Sequence, residues 1–308
     1  MQPPHDVPVP PGEDRPVPPG YAAGAPVPWW VKLGVKLVMG SLPVPARAWR
    51  AIGLRRHSFD ADNPAVTVAP LRDWASRFRD VAGRAPRGML ELGPGAMVRR
   101  APVAAALGFG PIWYLDVEDD APRDLGPYLA AAEAARAAGL APPDLSSCRT
   151  HQDVLAACGA RLLIGGTERL EEIGDGAADL VVSVAVLEHV RRDAMAPLFR
   201  ALRRVAAPDG LSIHAIDLHD HLGGGLRHLA FSPAFWEGPA VARAALYCNR
   251  LGLSEMVAMM HEAGFATAVR SRLLWPAAPL PPGGAHPSLR RAPQDDLTCA
   301  AVVECRPG

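Results

Sequence analysis

Met89-Leu90-Glu91-Leu92-Gly93-Pro94-Gly95-Ala96-Met97 is the stretch whose reading decides the fold. An apolar quartet broken by one acid runs into a turn with two glycines, and a helical pattern follows over Ala96–Leu107. Glycine lets the backbone of such a turn approach a ligand with no Cβ in the way. The helix start beyond it offers unpaired N–H groups to a polar or anionic group. Outward from this turn, apolar runs suggest strands at Gly88–Leu92, Ile112–Asp116, Arg161–Ile164, Leu180–Val184, Leu211–Asp217, Ala266–Leu274 and Thr298–Glu304. Helical patterns separate them, among them Leu125–Ala138, Ala194–Ala206 and Ser254–Ala263. This alternation predicts βαβ crossovers and an α/β, doubly wound, mainly parallel sheet of seven strands. The Pro/Gly-rich loop 276–287 between the last two strands suits a hairpin at the sheet edge.

The second predicted strand ends at Asp116, 21 residues after Gly95. A carboxylate at that edge can accept both hydroxyls of an adenosine ribose, and dinucleotide-binding folds use this spacing. A solvated strand end or a helix cap is the plain alternative, with Asp119 and Asp120 as rival caps. The dinucleotide fingerprint asks for a third glycine at position 98, which is Val98. Glu91 would also repel a pyrophosphate. A nucleoside cofactor with an amino-acid tail fits better.

Four segments carry a family resemblance: Met89–Met97 (MLELGPGAM), Trp113–Glu118 (WYLDVE), Asp179–Val190 (DLVVSVAVLEHV) and Leu202–Gly210 (LRRVAAPDG). In order and spacing the chain resembles the class I S-adenosylmethionine-dependent methyltransferases, and its later part those of glycan and natural-product biosynthesis. The resemblance implies a Rossmann-like fold and S-adenosyl-L-methionine as cofactor. It places Glu91, Gly93 and Gly95 at the methionine end, Asp116 on the ribose, and Thr167 and Glu168 near adenine. Ser183 and Val184 would present backbone along the cofactor, and Glu188 and His189 would start the helix beside the reaction centre. Met97 stands where many relatives have a third glycine.

Five of the ten histidines fall between His189 and His228, most in the run His214-Ala-Ile-Asp217-Leu-His219-Asp220-His221. Ligands bind at the carboxyl ends of parallel strands, so this run is expected to open onto the same cleft as Gly93 and Asp116. Three readings stand side by side: a general base, a divalent-ion site, and local capping. The catalytic candidates are His219, His221 and His189 with Asp217 orienting, and no metal ligands are assigned. Arg227, Arg243 and Arg250 could hold an anionic acceptor, but coding bias explains them more simply: Lys32 and Lys36 are the only lysines. Phe231, Phe235, Trp236 and Tyr247 read as a small local core.

Composition sets the limits. The 308 residues carry 32 basic and 32 acidic side chains, which gives no field for nucleic-acid phosphates. Five cysteines without a CxxC pair indicate neither a disulfide framework nor a zinc site and point to a reducing cytosol. No secretory signal and no span of about 20 apolar residues is read, so a cytoplasmic protein is expected. Ten of the 33 prolines lie in residues 1–28, read as a disordered tail. Residues 29–86 read as a helical extension and 87–308 as the methyltransferase domain, with a helical insert at about 218–253. Within the extension, paired tryptophans beside Lys32 and Lys36 resemble a membrane-interface helix over 29–42, though packing onto the domain is the preferred reading. The expected activity is O-methylation of a small-molecule or glycan acceptor with His-assisted deprotonation. The alternatives are an NAD-dependent oxidoreductase and a catalytically inactive binding protein.

Overall fold

The structure, a computed structural model, describes residues 13–19, 21, 27–42, 64–244, 246–289 and 291–308. Eight strands form one sheet: β1 (Glu13–Pro16), β2 (Met89–Leu92), β3 (Ile112–Asp116), β4 (Ala160–Ile164), β5 (Ala178–Val184), β6 (Ala206–Asp217), β7 (Phe265–Leu274) and β8 (Thr298–Pro307). Their order is β1-β7-β8-β6-β5-β2-β3-β4, with β8 antiparallel to both neighbours and every other pair parallel. The chain starts the parallel layer at β2, runs outward to β4, then returns past β2 to β5. The gap between β2 and β5 is therefore the topological switch point, where open α/β sheets bind ligands at their carboxyl edge.

Among the described residues the α-helices of six or more residues are α1 (Trp29–Ser41), α2 (Pro64–Ala82), α3 (Ala101–Ala106), α4 (Gly126–Ala137), α5 (His151–Ala157), α6 (Arg192–Val205) and α7 (Leu253–Glu262). Strand alternation divides the core in two. Met89 on β2 packs with Leu71, Phe78, Val103, Tyr128 and Val154 of α2 to α5. Leu90 and Leu92 pack on the other face with Phe199, Leu202 and Met256 of α6 and α7. All four residues of β2 are buried, as a strand covered on both faces must be. On α6 the buried Met195, Leu198, Phe199, Leu202 and Val205 follow the 3.6-residue period. Each such side chain contributes about 1.5–3 kcal/mol by burial.

Three expectations need correction. The sheet has eight strands, not seven, because Glu13–Pro16 adds in parallel to β7. The span 1–28 is thus not wholly unpacked: Asp14 pairs with Arg272 at 2.6 Å, and Val17 N–H donates to Leu274 O. Consequently the β7–β8 hairpin does not lie at the sheet edge. Most of the remainder of 1–28, and residues 43–63 of the expected helical connection, lie outside the described residues.

Between β6 and α7 the chain forms only single helical turns, at Arg227–Ala230, Pro233–Trp236 and Pro239–Ala242. They share a local core of Leu222, Trp236, Val241, Leu246 and Tyr247 that Leu33 of α1 closes. Arg250 belongs to it, donating to Phe231 O and to Glu237 beside the Trp236 ring. Its guanidinium is spent on structure, not on an acceptor. The outer side of α1 leaves Trp30 (63%) and Val38 (61%) exposed. Among the described residues no helix is long and apolar enough to cross a membrane.

Candidate active site

The glycine turn leaves β2 with Gly93 at φ 59° and Gly95 at φ 52°, conformations that disfavour any side chain. Their surroundings differ. A Cβ on Gly93 would stand 2.5 Å from a Val186 methyl, whereas a Cβ on Gly95 would meet no protein atom within 4 Å. Gly93 therefore lets two loops touch, and Gly95 keeps the backbone bare toward the open edge of the sheet.

Asp116, ending β3, sits across from this turn. Its Oδ2 accepts the Gly95 N–H at 2.8 Å and its Oδ1 the Glu118 N–H at 3.2 Å. Each carboxylate oxygen keeps a further lone pair for a hydroxyl. Burial raises the Asp116 carboxyl above its ordinary range, and the two N–H contacts offset part of that. Val117, next in the chain, is 74% exposed, an apolar surface beside the acid that strand patterning did not single out.

Glu91 lies on the α2–α5 side of the sheet and is buried in an ion pair with Arg100, whose guanidinium lies 5.4 Å from the Trp74 ring centre. Burial pushes its carboxyl up despite Arg100, and Oε2 has no partner among the described residues. Thr167 opens a 3-10 turn after β4, and Glu168 folds back to accept the Gly166 N–H at 2.8 Å.

At the end of β5 the Ser183 hydroxyl meets His214 Nδ1 at 2.8 Å, both fully buried. Burial pushes His214 down to about 4, so it is neutral and structural. Val184 is followed by Ala185 at φ 52°, a non-glycine in the left-handed region. This strain turns the chain sharply into the 3-10 turn Leu187–His189. The helix expected to start at Glu188 starts instead at Arg192. Asn249 holds the turn: its side-chain amide donates to Leu187 O and Val190 O, and its N–H to Glu188 O.

The turn delivers Glu188 and His189 to the residues after β6. Glu188 is buried with neither oxygen hydrogen-bonded among the described residues. Burial and the nearby Asp217 hold its carboxyl well above the usual range. Asp217 accepts the Tyr21 hydroxyl at 3.2 Å, and its Oδ2 lies 3.9 Å from His219 Nε2. His219 Nδ1 sits 3.1 Å from Asp220 O, and Tyr21 stands edge-on to the ring. His221 lies 3.2 Å, Nε2 to Nε2, from His189, whose Nδ1 is 2.7 Å from Tyr247 O. Burial and the neighbouring imidazoles push His221 down to about 3.

The histidine run thus divides. His189, His219 and His221 gather, with Asp217 and Glu188, while His214 and His228 are buried and do not open onto the cleft. His228 pairs with Asp220 at 3.7 Å. Burial would raise Asp220, but His228 and the N–H groups of Gly223 and Arg227 outweigh it and hold that carboxylate well below its ordinary range. Asp220 thereby fixes the Gly223–Gly225 loop. Sequence reasoning missed Tyr21, which lies in the proline-rich stretch, and Cys248, whose Sγ falls within 4.8 Å of nitrogens of His189 and His221.

Residues 128–214 match the family model of a methyltransferase domain. The matched segment runs from α4 to β6, so this part of the chain carries a methyltransferase domain. No curated protein sequence matches the chain. Among solved structures the chain is similar to phosphoethanolamine N-methyltransferase 2 of Haemonchus contortus, at 16% identity over 63% of this chain and TM-score 0.35. It spans 38% of that protein's length. It is also similar to an O-methyltransferase family protein of Burkholderia thailandensis (12% identity, 91% of this chain and 68% of that one, TM-score 0.41). A third is the DszA carbon methyltransferase (11% identity, 91% and 64%, TM-score 0.45). Two features of the site are compatible with a nucleoside ligand: the bare Gly95 backbone and the lone pairs left on Asp116.

Proposed function

We propose that the enzyme methylates a hydroxyl oxygen of a small-molecule or glycan acceptor, with His219 as the base. The carrying observation is the fixed ring of His219. A backbone carbonyl can only accept, so the Asp220 O contact puts the proton on Nδ1 and leaves Nε2 as an acceptor. That lone pair takes a hydroxyl proton as the oxygen becomes a nucleophile. Asp217, 3.9 Å from Nε2, stabilises the imidazolium that forms, and the Tyr21 hydroxyl holds Asp217 in place. Of the two strongest base candidates, His221 is the weaker because it is held so far below neutrality.

Glu91, Gly93, Gly95 and Asp116 are assigned to the cofactor's methionine and ribose, with Val117 covering adenine beside Thr167 and Glu168. Ser183 and Val184 contribute backbone, and Glu188 places a buried carboxyl with no hydrogen-bond partner among the described residues between cofactor and acceptor. Bound there, S-adenosylmethionine supplies an electrophilic methyl on sulfonium. The protein's part is alignment, exclusion of water and proton removal. A chain with no net charge suits a small or neutral acceptor.

His219→Ala tests the reading. Turnover should fall about 10²–10⁴-fold, the usual worth of a positioned base. Calorimetric affinity for S-adenosylhomocysteine should stay within about twofold, since the ring lies outside the cofactor turn. Unchanged turnover removes His219 from the role.

A further inference from the structure

We propose that His189, His221 and Cys248 form a mononuclear site for a divalent transition metal of the zinc class, beside His219. One ring nitrogen of each histidine and the Cys248 Sγ all lie within 4.8 Å of one another. Three separate segments bring them together: the 3-10 turn after β5, the loop after β6, and the end of the insert.

The histidine geometry favours a metal. The Tyr247 carbonyl, 2.7 Å from His189 Nδ1, accepts only, so it places the ring proton on Nδ1. His189 Nε2 then presents a bare lone pair, 3.2 Å from Nε2 of His221. Two imidazole nitrogens on one tetrahedral zinc, each at about 2.0–2.1 Å, stand about 3.3 Å apart. The pair already has that spacing. An imidazole oriented by a carbonyl on its other nitrogen is also the usual arrangement of a metal-bound histidine.

Cys248 completes the set. Its carbonyl is pinned by the Trp236 indole N–H at 2.7 Å, while its thiol makes only long contacts, 3.9 Å to His219 O and 3.8 Å to Leu246 O. Burial and the nearby Glu188, Asp220 and Asp217 hold the thiol well above its ordinary range, so a metal must displace its proton, which binding would release to solvent. Two imidazoles and a thiolate select zinc or cobalt over magnesium or calcium. A direct His189–His221 hydrogen bond explains the 3.2 Å contact alone, but not the arrival of a soft third ligand.

Cys248 is buried, His221 half-buried and His189 exposed, so the fourth coordination position faces the open side. The His219 ring lies 5.9 Å from that of His221. A metal there takes water or the acceptor's oxygen and lowers the pKa of the bound hydroxyl. This role, unlike the site itself, rests on the methyl-transfer reading.

The test is titration of chelator-treated full-length protein with Co²⁺, followed by visible absorption. One equivalent should give the ligand-field bands of tetrahedral cobalt and a thiolate-to-cobalt charge-transfer band, displaced by Zn²⁺. Cys248→Ser should abolish the charge-transfer band. His221→Ala, at a less buried position that leaves the fold intact, should weaken Co²⁺ binding at least about tenfold. Only an octahedral cobalt spectrum in folded protein, or full binding in His221→Ala, overturns the site. Calorimetry with S-adenosylhomocysteine on the same preparation separates the two claims. Cofactor binding without cobalt bands overturns the metal alone; cobalt bands without cofactor binding overturn the methyl-transfer reading alone.

Discussion

Alanine at Gly95 and at Gly93 makes a pair of perturbations with opposite expected signatures. Both glycines hold positive φ, 52° and 59°, which costs an L-residue roughly 1–2 kcal/mol. At Gly95 that is the whole stability cost, because the new Cβ meets no protein atom within 4 Å. A domain of this size loses about 2–4 °C of Tm per kcal/mol, so Gly95→Ala should melt about 2–8 °C lower. Gly93→Ala adds a 2.5 Å contact with Val186, and overpacking of that kind costs roughly 1–3 kcal/mol more. Its melting point should fall about 4–20 °C. Affinity should respond differently. The methyl on Gly95 projects to where the cofactor's methionine end is assigned, and S-adenosylhomocysteine should bind at least about tenfold more weakly, a loss of about 1.4 kcal/mol. Differential scanning fluorimetry and calorimetry on the same samples read both quantities. Wild-type affinity in a folded Gly95→Ala variant would refute the assignment of this loop to the cofactor.

Other outcomes follow from the same geometry. Asp116→Ala removes acceptors for two ribose hydroxyls, each charge-assisted bond being worth about 1.5–3 kcal/mol, so calorimetry should find S-adenosylhomocysteine bound about 10²-fold or more weakly. Asn249→Ala strips hydrogen bonds from Leu187 O and Val190 O and should cost about 2–4 kcal/mol, a Tm fall of about 4–16 °C, with turnover dropping as the turn loosens. Burial would raise Asp179, but Arg84 and the Arg87 N–H outweigh it and depress that carboxyl. Its contribution to stability is therefore full above the unfolded value of about 3.9 and lost as pH falls through the lower folded value. Melts between pH 6 and pH 2 should show a shallower acid loss in Arg84→Ala than in wild type, by a modest amount since Arg84 is partly exposed.

Much of the sheet was legible because strands covered on both faces are near-continuous apolar runs, and Ile112–Asp116 reads from sequence with the boundaries the structure has. Strand β1 was not legible. Glu13-Asp14-Arg15-Pro16 has no apolar signal, and what orders it is a ladder to β7 more than 250 residues away with the Asp14–Arg272 pair. The glycine turn and Asp116 carried a local signature, and the structure sets them side by side. Ala185 was not, since nothing in an alanine announces a positive φ. Tyr21 and Cys248 meet the histidines only in space. Conversely, His214 and His228 looked functional by proximity in sequence, but a one-residue change of phase in β6 and the tight Asp220 loop bury them.

The most direct test of the proposed chemistry is the identity of the atom that receives the methyl group. Isotope-labelled S-adenosylmethionine is supplied with hydroxyl-bearing small molecules and glycans, and the product is resolved by mass spectrometry and NMR. The label should appear in a methyl ether, formed by the wild type and about 10²–10⁴-fold more slowly by His219→Ala. Label on nitrogen or carbon, or an O-methyl product made at the wild-type rate by His219→Ala, would contradict it.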